Sequence, residues 1–162
     1  MVKVEINGNL HLLKQKSRLP FETKRYREYR RKWENYPLQK IVDRFPLHLD
    51  VEATSACNLK CPFCITTYAN FKNGLMKDEI FQAIIDEGSE KGLYSIKLNW
   101  RGEPLIHPKL SEMIAYAKAK GIVDVFLNTN AAFLTEEKSR QLIDAGIDRI
   151  IISFEGYEKD LY

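Results

Sequence analysis

Cys57, Cys61 and Cys64 are the only cysteines in this 162-residue chain, and they stand together in Cys57-Asn-Leu-Lys-Cys61-Pro-Phe-Cys64. Thiolates this close in sequence can share one metal centre, whereas three of them make an odd and awkward set for disulfides. Three cysteines cannot fill all four positions of a [4Fe–4S] cube. They can hold three of its irons and leave the fourth open to a ligand that is not protein. An open iron is a place where chemistry can happen.

Two other metal chemistries compete with this reading. A closed zinc site would need a histidine beside the three cysteines, and His48 or His107 could serve, although neither stands at ligand spacing. An electron-carrying ferredoxin-like domain would supply four cysteines to each cluster, and the fourth is missing. The carboxylate pairs Asp78/Glu79, Asp86/Glu87 and Glu136/Glu137 suit helix ends and solvated faces, not acid–base catalysis. No phosphate loop or Ser–His–Asp pattern is present.

The elements that must position the cysteines alternate between strand and helix. Leu47–Val51 is a short strand candidate that runs straight into the cysteine loop. Asn73-Gly74 marks a turn, and Asp78 and Glu79 open a helix with Ile80, Phe81, Ile84 and Ile85 on its apolar face. Gly92 stops that helix, and Ser95–Trp100 alternates like a strand, which puts Trp100 in the core. A helix opened by Pro108 and closed by Gly121 leads to a third strand at Val123–Leu127. Thr135 is an N-cap for the next helix, Gly146 ends it, and the β-branched Arg149–Phe154 forms a fourth strand. Repeated strand–helix units predict a parallel α/β sheet, either open or part of a barrel. Both arrangements place their sites beyond the carboxyl ends of the strands. The cysteines, Gly102-Glu103-Pro104, Asn128-Thr129-Asn130 and Ser153/Glu155 therefore gather on one rim.

Cys-x3-Cys-x2-Cys after a first strand, with an aromatic before the last cysteine, resembles the radical S-adenosylmethionine (radical SAM) superfamily. Gly102-Glu103-Pro104 after the second strand, Thr129-Asn130 after the third and Ser153 after the fourth extend the resemblance over residues 45–157. The GEPLIHP and SFEG stretches look most like members with SPASM or twitch extensions, including the molybdenum-cofactor biosynthesis branch. The resemblance implies a partial TIM-like (β/α)6 barrel with about four parallel strands, residues 45–162, preceded by a basic, partly helical extension, residues 1–44. It implies that Cys57, Cys61 and Cys64 ligate a [4Fe–4S] cluster and that S-adenosylmethionine chelates its fourth iron. Phe63 would lie beside the adenine. Gly102 would let the backbone approach the methionine end of the cofactor closely and Glu103 would accept from its ammonium. Asn130 and Ser153 would also contact the cofactor, and Arg101, Thr129 and Glu155 are candidates to face substrate. The implied reaction is reductive cleavage to a 5′-deoxyadenosyl radical that abstracts hydrogen from a substrate. An electron donor of the flavodoxin or ferredoxin type is implied, with a peptide or a cofactor or natural-product precursor as substrate. A non-catalytic iron–sulfur scaffold is the alternative within the same fold.

The chain departs from its relatives' pattern at two positions. Arg101 holds the first glycine position of the common Gly-Gly-Glu-Pro, and Glu155 stands where aspartate is frequent. Later barrel strands and auxiliary-cluster cysteines are absent, so we expect this sequence to be the N-terminal portion of a longer polypeptide.

Composition sets the remaining bounds. Hydrophobic content of 44% with 29% charged residues is ordinary for a globular protein. No apolar run reaches the length of a membrane span, no signal peptide is evident, and the clustered thiols suit the reducing cytoplasm. Residues 1–44 carry twelve Lys or Arg against five acids, net +7, which leaves −4 for the remainder of a chain of net charge +3. Tyr26, Tyr29, Trp33 and Tyr36 recur there at helical spacing. One apolar face and one basic face predict a helix packed on the main domain and argue against a nucleic-acid surface.

Overall fold

Segments with alternating or β-branched residues form the strands, and segments with apolar residues three and four apart form the helices. The computed structural model describes residues 23–154 in full and residues 3–7 as backbone. The elements run β1 (Lys3–Asn7), α1 (Lys24–Gln39), β2 (His48–Asp50), α2 (Ile65–Tyr68), α3 (Asp78–Glu90) and β3 (Ser95–Lys97). A 3-10 turn (Pro104–Ile106), α4 (Leu110–Ala119), β4 (Asp124–Thr129), α5 (Glu136–Asp144) and β5 (Arg149–Ser153) complete them. All strand pairs are parallel, in the order β1-β5-β4-β3-β2. His48 aligns with Ser95 and Ser95 with Asp124, while β5 is offset so that Arg149 aligns with Phe126.

The four expected strands are all present, and β1 adds a fifth that the sequence reading missed. It pairs with β5 from Lys3↔Arg149 to Asn7↔Ser153 and covers that edge of β5. Lys-Val-Glu-Ile-Asn does alternate polar and apolar residues, a strand signal at the start of an extension read as basic and only partly helical.

Alternation divides the sheet into two faces. Ile96, Leu98, Val125, Leu127 and Ile150 pack with Phe81 and Ile85 of α3, Met113 and Ile114 of α4 and Leu142 of α5. The opposite face carries His48, Asp50, Ser95, Lys97, Asp124, Phe126 and Arg149, and these pair among themselves. Asp50 meets Lys97 at 2.9 Å and Asp124 meets Arg149 at 3.2 Å, while the Phe126 ring lies between His48 and Arg149. Helix α1 docks where the strands begin. Tyr29 is buried and stacks on Tyr94 at 5.7 Å, Trp33 meets the His48 ring edge-on, and Arg25 donates to the Leu93 carbonyl. The expected aromatic docking face is therefore the one used.

Two sequence expectations change. Pro108 precedes α4 without being its first residue, because the 3-10 turn occupies Pro104–Ile106 and Lys109 caps the helix. Trp100 is 68% exposed, because β3 ends at Lys97 and strand alternation no longer fixes which way residue 100 faces. Phe126, by contrast, is buried.

Candidate functional site

The loop that leaves β2 is fixed before it reaches its first cysteine. Met76 N–H donates to the Ala53 carbonyl at 2.8 Å and Ser55 N–H to the Gly74 carbonyl at 3.1 Å. The Thr54 hydroxyl donates to the same Gly74 carbonyl and accepts from Ala56 N–H. The segment after α2 thus folds back and braces the start of the cysteine loop. Cys64 N–H donates to the Cys61 carbonyl at 3.0 Å, which makes the Cys61-Pro-Phe-Cys64 turn.

All three cysteines are free thiols, with Cys57 exposed and Cys61 and Cys64 half-buried. Cys57 Sγ accepts Leu59 N–H at 3.5 Å, and Cys64 Sγ lies 3.0 Å from the Thr66 hydroxyl. Residues 53–77 contain no carboxylate at all, so nothing acidic opposes thiolate charge along this segment. Among the described residues no three Cys, His, Asp or Glu side chains converge on a point that would hold a single metal ion. An iron–sulfur cube spreads its thiolates over separate irons and does not require such convergence. The zinc alternative also loses its fourth ligand. His48 is engaged by Ser95 Oγ at 3.0 Å and Asp50 Oδ1 at 2.9 Å. His107 Nδ1 accepts Lys109 N–H, so its Nε2 carries the proton directed at the Met76 carbonyl.

The turn after β3 lies directly on the cysteine loop. Gly102 has φ +63, and a Cβ there would stand 2.2 Å from the Thr54 carbonyl oxygen and 2.9 Å from that of Ala56. Glu103 N–H donates to the Ala56 carbonyl at 2.8 Å. The close approach that requires glycine is thus to the chain's own cysteine-loop backbone.

Glu103 is 2% exposed, yet its carboxylate is well supplied with donors. Oε1 accepts Leu105 N–H at 3.1 Å and the Thr129 hydroxyl at 2.7 Å, and Oε2 accepts Asn130 N–H at 2.9 Å. A carboxylate offers about four lone-pair positions, so one on Oε2 is left for a further donor. Thr129 is buried and uses its hydroxyl on Glu103 and Ala131 N–H. This makes it a brace for the turn, not a residue facing substrate. Asn130 Nδ2 donates to Asn58 Oδ1 at 3.0 Å, which ties the end of β4 to the loop between Cys57 and Cys61. Sequence reasoning missed Asn58, because a lone asparagine in a loop carries no pattern.

Three more predicted site residues lie on the same rim. Arg101 is clamped by Glu52, its Nε and Nη2 each 2.9 Å from a different carboxylate oxygen. Phe63 is 67% exposed on the cysteine loop, and Ser153 ends β5. Glu155 lies outside the described residues.

Comparison with known proteins agrees with this geometry. The Radical SAM superfamily model matches residues 51–162. A tungsten-containing aldehyde ferredoxin oxidoreductase cofactor-modifying protein of Pyrococcus furiosus is 30% identical over 109 residues, 67% of this chain and 30% of that one. A probable GTP 3′,8-cyclase of Methanococcus maripaludis is 38% identical over 103 residues, covering 63% and 34% of the two chains. The chain therefore spans about a third of the length of these curated relatives. Among solved structures, BtrN in complex with AdoMet and 2-DOIA superposes with a TM-score of 0.64 at 23% identity, over 72% of this chain and 49% of that one. SuiB of Streptococcus suis bound to S-adenosylmethionine gives 0.62 at 20% identity, over 84% and 31%. The family's cofactors are a [4Fe–4S] cluster and S-adenosylmethionine, and the free thiols beside the glycine turn suit both. By the match over residues 51–162, this chain belongs to the radical SAM superfamily.

Proposed function

We propose that residues 45–154 carry the cluster-binding and cofactor-binding part of a radical SAM enzyme, with Cys57, Cys61 and Cys64 as the three cluster ligands. The observation that carries this reading is the hydrogen bond from Glu103 N–H to the Ala56 carbonyl, with Gly102 packed where no side chain fits. It fixes the turn that would bind the methionine end of S-adenosylmethionine to the loop that would bind the cluster. When bound, these groups supply a one-electron cleavage that generates a hydrogen-abstracting 5′-deoxyadenosyl radical.

The protein's part is to bind and to orient. The open lone pair of Glu103 Oε2 accepts from the cofactor's ammonium, while Thr129 and the Leu105 and Asn130 amides hold the carboxylate still. Phe63 offers its exposed ring to the adenine, and Asn130 and Ser153 line the same rim. Asn58, through Asn130, fixes the span between the first two cysteines.

The electron donor we propose is a flavodoxin or ferredoxin, and the compartment is the cytoplasm, where free thiols persist. No helix among the described residues is long and apolar enough to cross a membrane. For the substrate, a small molecule of cofactor or nucleotide type has more support than a peptide. The curated relatives named above are a cofactor-modifying protein and a GTP cyclase. SuiB was solved with precursor peptide SuiA, but at 20% identity its likeness is one of fold.

Anaerobic reconstitution followed by iron and sulfide analysis and EPR tests the reading. The expected result is about four irons per chain, a number set by the cube, lost on replacing any of the three cysteines by alanine. Incubation of the reduced whole protein with S-adenosylmethionine should yield 5′-deoxyadenosine. Zinc without iron would overturn the reading, and a loaded cluster that never cleaves S-adenosylmethionine would favour the scaffold.

A further inference from the structure

Arg101 makes three contacts with one carboxylate. Its Nε donates to Glu52 Oε2, its Nη2 to Oε1 and its backbone N–H to Oε2, each at 2.9 Å. The guanidinium also lies 4.3 Å from the centre of the Phe71 ring and 5.0 Å from that of Trp100. These partners come from separate stretches of chain. Glu52 follows β2 and precedes the cysteines, Phe71 belongs to the segment that folds back after α2, and Trp100 and Arg101 lead into Gly102-Glu103.

An exposed ion pair adds little, because water competes for both charges. This pair differs in being bidentate, reinforced by a backbone donor, flanked by two aromatic faces and half-buried. A lysine could not reproduce the planar fork.

On the radical SAM reading above, we infer that Arg101 is a positioning residue for cofactor binding. With Glu52 it latches the Gly102-Glu103 turn to the root of the cysteine loop. The latch sets the separation between the cluster ligands and the Glu103 carboxylate, which S-adenosylmethionine has to bridge. Turning Arg101 toward a substrate would strip Glu52 of its counter-charge, so this arginine serves the turn and not a substrate anion. A displacement of about 1 Å at such a distance can cost on the order of a hundredfold in binding or rate.

The experiment compares Arg101→Gln, Glu52→Gln, the double variant and Arg101→Lys in the reconstituted whole protein. The first readout is iron content, and the second is the titration of S-adenosylmethionine against the EPR spectrum of the reduced cluster. The third is exchange of the Glu103 amide in metal-free protein. Each single variant should hold wild-type iron, since the cysteines are untouched, and bind S-adenosylmethionine about tenfold or more weakly. The double variant should be no worse than the weaker single, because both remove one interaction. Arg101→Lys should fall between, and the Glu103 amide should exchange faster in every variant.

Binding within about twofold of wild type in both singles, or losses that multiply in the double, would overturn the inference. So would a fall in iron that matches the fall in binding, which would make the pair a folding element only. Should Arg101→Gln fail to fold, Arg101→Lys and Glu52→Gln carry the same comparison. A wild-type protein that takes up no iron would defeat the functional reading and this inference together, an outcome distinct from a normal wild type with unaffected variants.

Discussion

The Thr129 hydroxyl donates to Glu103 Oε1 at 2.7 Å, and both residues are buried. Twenty-six positions apart, they join the end of β4 to the turn after β3. A buried carboxylate tolerates burial only while its lone pairs are supplied.

Thr129→Val keeps the shape and removes the donor, and it also leaves Ala131 N–H without its acceptor. A hydrogen bond to a charged group is worth about 1.5–3 kcal/mol, and loss of that order is expected here. Chemical denaturation should show a lower midpoint with an unchanged slope. A midpoint equal to wild type would mean that water replaces the hydroxyl and that the brace is dispensable.

Gly102→Ala combines two penalties. Its φ of +63 is costly for any residue with a Cβ, by about 1–2 kcal/mol, and the Cβ would collide with the Thr54 carbonyl oxygen at 2.2 Å. Gly121→Ala is the control, with φ +85 and nothing within 4 Å of the added atom. Both should unfold more readily than wild type. Only Gly102→Ala should also lose iron on reconstitution, because only there must the cysteine loop move aside.

The contrast between those two glycines shows what could be read in advance. The cysteine triplet and the rim motifs were legible because each is a short run tied to a strand end, and strand ends follow from local patterning. The partners of those motifs were not legible. Glu52 lies 49 positions from Arg101, and Asn58 lies 72 from Asn130. Nothing local marks either residue as half of a pair. The same limit applies to Gly102, where the resemblance implied close approach to the methionine end of the cofactor and the contact found is to the Thr54 carbonyl. Trp100 was misplaced because its strand stops three residues early, and strand ends are set by pairing partners more than by side-chain alternation. At β1 the alternation is present, but a run of five residues does not show which sheet edge it joins.

Asp50 supplies a pH dependence. Burial pushes its carboxyl up, but hydrogen bonds from Lys97 and His48 outweigh that and hold the pKa below the usual carboxylate range. A folded-state pKa lower than the unfolded one gives stability that is present above the unfolded value, about 3.9. It is lost as pH falls through the depressed folded value. Asp50→Asn should therefore be less stable than wild type at neutral pH, and the gap should close as acid is added toward about pH 3. Denaturation midpoints across that range check it. A gap independent of pH would assign the loss to packing instead of charge.

Helix α1 offers the clearest separation of packing from charge. Tyr29 is 2% exposed, stacks on Tyr94 at 5.7 Å and touches the neighbouring ring of Trp33 at 5.9 Å. Leu38, on the same helix, is 81% exposed. Removing a buried aromatic side chain costs about 3–5 kcal/mol, whereas an exposed substitution stays within about 0.5 kcal/mol. Tyr29→Ala should thus be severely destabilised and Leu38→Ala nearly neutral. Salt then distinguishes the source. At about 1 M the screening length is only about 3 Å, so charge attraction between a basic helix and the domain would be suppressed. Ring packing would be unaffected. The Tyr29→Ala deficit measured by chemical denaturation should accordingly persist at high salt. If it shrank markedly there, the basic face would be holding the helix in place, and the aromatic stripe would be secondary.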